Sequence, residues 1–200
     1  MFVFDVETLG KESNAVILSM ACVHFDPLKK PSHEDMRANA FFAKFDVADQ
    51  RRRLGRSMTP STIEWWKKQC DNVKFKSFRP SEEDVDFEIG YERMREWAAQ
   101  FNEPRSHVWA RGNLDQLTLD SIEEQLGLEP IFPFARWRDV RTAIDIWYNT
   151  DRGYTDVVYP GFDPKLHITK HNPIDDCIFD AMMLMYGKNN EENDSGDTKK

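Results

Sequence analysis

The chain is poor in cysteine. Cys22, Cys70 and Cys177 are widely spaced among 200 residues, and no Cys-x-x-Cys pair occurs. A disulfide framework and a thiolate zinc cluster are therefore excluded as organising devices, and the usage fits a reducing compartment. Long apolar runs are missing as well. Nothing approaches the roughly 20 residues a membrane-spanning helix needs, and no basic segment leads into an apolar one as in a secretory leader. Positive charge is in deficit, with a formal net charge of -8. That argues against binding nucleic acid by bulk electrostatics. It leaves open an acidic site that carries metal ions, whose local potential inverts once they bind. No glycine-rich phosphate loop and no internal repeat is found.

What is present suits one domain with a real core. The length is ordinary for a single domain and needs no covalent staple, and 14 phenylalanines and 6 tryptophans supply bulk. The organising stretch is Phe2-Val3-Phe4-Asp5-Val6-Glu7-Thr8-Leu9. Residues 2–5 read as a short central strand, apolar on both faces. In a strand, i and i+2 share a side, so Asp5 and Glu7 project together at or just past its end. Two neighbouring carboxylates repel unless a cation sits between them.

The chain then alternates. Residues 15–25 form the longest apolar run and predict a hairpin partner for the first strand. Residues 36–45 alternate partly and predict a third strand. Four arginines in Arg51–Arg56 predict an exposed loop, with phosphate contact as the functional alternative. Thr59 and Pro60 cap a helix carrying Trp65 and Trp66, of which one packs inward and the other can stack on a base. Residues 74–87 read as a loop around Pro80, in which Ser81 can open a helix. Residues 86–101 have apolar positions at helical spacing. Residues 107–110 predict a strand, and Asn113 a cap for a helix over 114–126 that Gly127 ends. Residues 137–140 predict a last strand and 142–148 a helix. Residues 151–170 read as irregular, and 171–186 as a final helix with Pro173 in its first turn. Gly187 stops that helix, and residues 188–200 are expected to be a disordered polar tail.

Strands interleaved with helices give an α/β fold, a mixed sheet with helices on its faces. Functional groups in such sheets gather at carboxyl ends of strands and adjoining helix termini. Asp5 and Glu7 lie there, as does Asp115, just beyond the turn after residues 107–110. His171 and Asp176 stand near the start of the final helix. Four carboxylates suit two hard divalent ions, Mg²⁺ or Mn²⁺. Two such ions about 4 Å apart can hold the attacking and leaving oxygens of a phosphodiester, and a histidine can take the proton of the attacking water. A zinc pair, His167 and His171, is disfavoured because Pro164 and the polar run around it argue against a continuous helix there.

These segments resemble the DEDDh branch of the DnaQ-like 3′–5′ exonuclease superfamily. Phe4-Asp5-Val6-Glu7-Thr8 is similar to its first motif, Asn113-Leu114-Asp115 to its second, and His171-Asn172-Pro173-Ile174-Asp175-Asp176 to its third. Ser61–Lys67, Arg111-Gly112 and Arg138–Thr142 also resemble the exonuclease A group of T4-like phages and a small bacterial exoribonuclease group. Pro173 departs from the alanine common near the histidine. The resemblance implies an RNase H-like fold over residues 1–187 and metal ligation by Asp5, Glu7, Asp115 and Asp176, with two ions, Mg²⁺ or Mn²⁺. It implies His171 as general base and Glu7 as a second catalytic group that orients the water. Thr8, Leu9, Trp65, Trp66, Arg111 and Asn113 are implied to bind substrate. The implied substrate is single-stranded DNA with a free 3′ end, released as nucleoside 5′-monophosphates, with RNA or short oligoribonucleotides the alternative. A binding protein without catalysis would need the basic loop but not five spaced site residues. The expected location is the cytoplasm, of the host if a phage encodes the chain. No membrane is expected as a partner. No dedicated interface segment stands out, so the oligomeric state stays open between a monomer and the homodimer of some relatives.

Overall fold

A computed structural model describes residues 1–101, 103, 105–155 and 159–186. The expected tail, Gly187 and Pro104 lie outside the described residues. β1 (Phe2–Thr8) pairs antiparallel with β2 (Ile17–His24), which pairs antiparallel with β3 (Phe41–Lys44). On the other side of β1, β4 (Val108–Ala110) and then β5 (Trp137–Asp139) add in parallel. The order β3-β2-β1-β4-β5 makes β1 the central strand, as its apolar start requires. The mixed sheet with helices on both faces is the expected architecture.

Alternation along β1 divides the core. Phe2, Phe4 and Val6 face one side, packing with Phe87, Tyr91 and Met94 of α5 (Phe87–Ala99) and Leu119 and Ile122 of α6 (Leu114–Leu126). Val3 faces the other side. There it meets Val140 and Ile144 of α7 (Val140–Tyr148) and Cys177, Ile178 and Ala181 of α9 (Pro173–Tyr186). Each large apolar side chain buried this way contributes roughly 1.5–3 kcal/mol. The same alternation sends Asp5 and Glu7 to the side of α9.

Several local expectations give way. β1 runs to Thr8, so Asp5 and Glu7 lie within the strand rather than past its end. Residues 36–45 are not one strand. α1 (His33–Ala38) comes first, because Ser32 accepts the Asp35 N–H as N-cap and Glu34 and Asp35 fill the first turn. Arg51–Arg53 of the arginine stretch are not loop but the end of α2 (Val47–Arg53), capped by Asp46, and Arg56 lies beyond it. After α3 (Pro60–Lys67), residues 74–78 continue α4 (Asp71–Val73) as a π-helical turn. Ser81 opens no helix; its hydroxyl pairs with Asp84 at 2.7 Å, and α5 starts after Asp86. Within 151–170, Asp163 caps α8 (Pro164–His167). The final helix begins at Pro173, leaving His171 outside it at φ 66°. Among the described residues no helix is long and apolar enough to cross a membrane.

Candidate active site

The site grows from a mismatch in strand length. β1 pairs with β4 only through Val3. β4 ends at Ala110, and the chain turns at Gly112 (φ 87°) into α6. The far half of β1 therefore has no strand on that side, and the Val6 N–H donates to Asp115 Oδ1 at 3.2 Å instead. On the β2 side the register shifts between Glu7 and Thr8, the kind of irregularity that re-aims side chains. α9 brings Asp176 from above. Its Oδ2 accepts the His171 N–H at 2.9 Å, which holds the left-handed turn before the helix.

Ligand atoms of Glu7, His171 and Asp176 all lie within 4.8 Å of one another. Asp5 and Asp115 are not part of that trio but lie within its field. Burial pushes the Asp5 carboxyl well above the usual range, and Asp115, Glu7 and Asp176 push it further. Glu7 is raised by burial and by Asp176 and Asp115. Burial takes Asp115 and Asp176 up to about 7, with Asp180 adding to both. Asp5 Oδ2 is buried with no hydrogen-bond partner. A buried orphan oxygen among repelling carboxylates is the situation a divalent cation relieves. An oxygen-rich donor set with one imidazole fits hard ions such as Mg²⁺ or Mn²⁺. His171 has its pKa lowered by burial and by Lys170, so its ring is neutral at pH 7.

A fifth acid escaped the sequence reading. Asp180 stands one helical turn beyond Asp176 and is buried. Arg111 Nε donates to both its oxygens, at 3.1 and 3.2 Å, and Nη2 makes a further close contact. Arg111 Nη1 donates to the Gly153 carbonyl at 2.6 Å, and the guanidinium lies 4.0 Å from the Tyr154 ring centre. The four-residue spacing from Asp176 was the available signal; Arg111 as its partner was visible only in three dimensions. Arg111, expected on substrate, is thus engaged with the scaffold.

An open groove of about 400 Å³ adjoins the acids, lined by Glu7, Thr8, Lys11, Thr62, Trp65 and Leu114 among others. Trp66 is the inward tryptophan, with its Nε1–H donated to the Thr8 carbonyl at 2.9 Å and its ring parallel to Phe78. Trp65 is 39% exposed and meets His171 edge to face, with centroids 4.7 Å apart. Leu9 is buried with Val16, Leu18 and Trp66, behind the groove wall rather than on it. Asn113 is exposed in a second groove, on the far side of α6's first turn. The arginines of 51–56 brace the fold. Arg53 pairs with Asp49 and Glu88, Arg52 with Asp49, Arg51 donates to the Arg56 carbonyl, and buried Arg56 donates to the carbonyls of Ala15 and Ser13. His167 Nδ1 accepts the Asp163 N–H and packs on His33 and Phe162. Among the described residues it joins no group of potential metal ligands.

A model of the 3′–5′ exoribonuclease Rv2179c-like domain matches residues 1–187. The chain belongs to that family. It is a 3′–5′ exonuclease, a hydrolase. The exonuclease is 29% identical to the exodeoxyribonuclease of Enterobacteria phage T4 over 208 residues, covering 92% of this chain and 87% of that protein. Its fold is similar to the nuclease domain of 3′hExo, a DEDDh family member solved bound to rAMP. The TM-score is 0.60 at 15% identity, over 92% of this chain and 88% of that one.

Proposed function

We propose that this exonuclease removes nucleoside 5′-monophosphates from the 3′ end of single-stranded DNA, using two divalent ions, Mg²⁺ or Mn²⁺. The carrying observation is the convergence of Asp5, Glu7, Asp115 and Asp176 on the open half of β1, with His171 beside Glu7 and Asp176. Asp5, Glu7, Asp115 and Asp176 would hold the ions. When bound, these supply Lewis-acid stabilisation of the charge that develops on the phosphate oxygens.

The rest is done by the chain. His171, neutral at pH 7, takes a proton from the water that attacks phosphorus. Glu7, within reach of the same water, orients it. The bond from phosphorus to the 3′ oxygen of the preceding nucleotide breaks, and that oxygen takes a proton from solvent, leaving a new 3′ hydroxyl. Trp65 offers the terminal base an aromatic face, and its contact with His171 ties base seating to the position of the proton acceptor. Trp66 holds the Thr8 carbonyl, and with it the groove floor.

DNA is favoured by the phage exodeoxyribonuclease that matches nearly the whole chain. RNA is the second reading, favoured by the exoribonuclease description of the family. Matched DNA and RNA oligonucleotides, labelled at the 5′ end and incubated with Mg²⁺ or Mn²⁺, separate the two. The expected result is a ladder shortening from the 3′ end, faster on DNA. A faster RNA ladder overturns the sugar assignment, and no ladder on either overturns the exonuclease chemistry.

A further inference from the structure

The second groove, about 440 Å³, lies against the acid site across the first turn of α6. Asn113 and Gln116, which flank Asp115, line one wall; Arg138, Arg141 and Thr142 line the other. Its one acid, Asp139, is turned inward, accepting the N–H groups of Gly112 at 2.8 Å and Thr142 at 2.6 Å. Arg138 is bound by the carbonyls of Ala135 and Trp137 and by His107, with no carboxylate partner among the described residues. Arg141 is exposed and makes no hydrogen bond or ion pair among the described residues. In a chain of net charge -8, this groove holds two arginines without an ion-paired carboxylate, and Arg141 lies near enough to the acids for its charge to be felt by Asp115 and Asp180.

The stem of Arg141 packs closely on a glycine. A Cβ at Gly153 (φ 64°) would stand 2.6 Å from Arg141 Cγ and 3.1 Å from its Cα. A Cβ at Gly112 (φ 87°) would stand 3.7 Å from Arg141 Nη1. The stem thus packs on Gly153, where any larger residue would collide with it, and the guanidinium passes Gly112 at ordinary contact distance with its donors unengaged. Gly153 is itself fixed, by Asp145 on its N–H at 2.7 Å and by Arg111 on its carbonyl. An unengaged guanidinium presents a rigid donor fork that matches a phosphate bidentately.

We propose that Arg141, assisted by Arg138, binds an internucleotide phosphate of the strand upstream of the bond that is cut. The terminal nucleotide then lies in the Trp65 groove, the scissile phosphate among the acids, and the preceding backbone in the Arg141 groove. A single strand needs both grooves, because the chain continues on the 5′ side of the bond being broken. This deepens the exonuclease reading and rests on it.

The test compares two substrates in Mg²⁺ or Mn²⁺: a single-stranded oligonucleotide, and the 4-nitrophenyl ester of thymidine 5′-monophosphate, which has no upstream strand. Arg141→Met is expected to raise KM for the oligonucleotide about tenfold or more, and to raise it at least tenfold more than for the ester. The slope of log affinity against log salt should fall by about 0.7, one single-strand phosphate contact. Arg141→Lys, which keeps the charge and the aliphatic stem, should retain most of that slope and guards against a folding defect. Equal losses on both substrates, or an unchanged oligonucleotide KM, overturn the assignment and leave the exonuclease reading intact. Wild-type protein inert on both substrates overturns the exonuclease reading and this one with it.

Discussion

Arg111 meets Asp180 side on, its Nε 3.1 and 3.2 Å from the two carboxylate oxygens, with both side chains largely buried. The pair locks the end of β4 to α9 and so sets Asp115 against Asp176. Arg111→Met strands a buried charge, and a loss of about 3–5 kcal/mol is expected from such a break. Adding Asp180→Leu to it should recover much of the loss, since a buried pair is often replaceable by apolar contacts. Urea unfolding measures both. A single variant as stable as wild type would show the pair to be incidental.

The two adjacent tryptophans should separate stability from activity. Trp66→Ala empties a core position and is expected to cost about 3–5 kcal/mol. Trp65→Ala should change stability by less than about 1 kcal/mol, as exposed substitutions do, while raising KM several-fold through lost base stacking. Denaturation and steady-state kinetics on one oligonucleotide check both. A Trp65 variant with wild-type KM removes it from the substrate path.

His171→Ala is expected to lower kcat about 10²–10⁴-fold, the usual contribution of a general base, with a smaller change in KM. At saturating metal, which keeps the carboxylates ionised, the acid limb of the pH–rate profile should go with it. A variant that retains this limb contradicts proton transfer to His171.

Away from the site, Tyr91 Oη lies 2.5 Å from Glu123 Oε1 and 2.8 Å from the Glu129 carbonyl, and accepts the Ile131 N–H at 3.0 Å. One hydroxyl proton cannot serve two acceptors. A protonated Glu123 resolves this by donating to Tyr91, which donates to Glu129. Burial takes Glu123 up to about 7. The folded pKa exceeds the unfolded value near 4.5, so this stabilisation is full below about pH 4.5 and is lost as pH rises through about 7. Glu123→Gln should flatten that part of the stability–pH curve between pH 5 and 8. An unchanged curve would mean that Glu123 is charged in the fold.

The sequence was legible where pattern and chemistry coincide. β1 and β2, α5 and α6, and the convergence of Asp5, Glu7, Asp115 and Asp176 all follow from apolar periodicity and from where strands end. It was misleading where a local cap decides: Ser32 starts α1 where partial alternation predicts a strand, and Asp46 starts α2 where clustered arginines predict a loop. Arg51–Arg56 resembles a phosphate site because composition does not reveal partners: Asp49 is in sequence reach, but Glu88 and the Ala15 carbonyl are not. Asp180 was hidden for the opposite reason. A buried acid in an apolar helix reads as a stray charge until its arginine, 69 residues away, is seen beside it.

The central claim is that the acids on the open half of β1 form a divalent-cation site. Calorimetric titration of metal-free protein with Mn²⁺, with thermal unfolding of the same samples, tests it most directly. The account predicts two ions per chain and a rise in stability of about 2.7 kcal/mol for each ion at a hundredfold excess over its Kd, with both lost or reduced in Asp5→Asn and Asp176→Asn. Wild-type protein that binds no Mn²⁺ and melts unchanged, or variants that bind as wild type does, would contradict it.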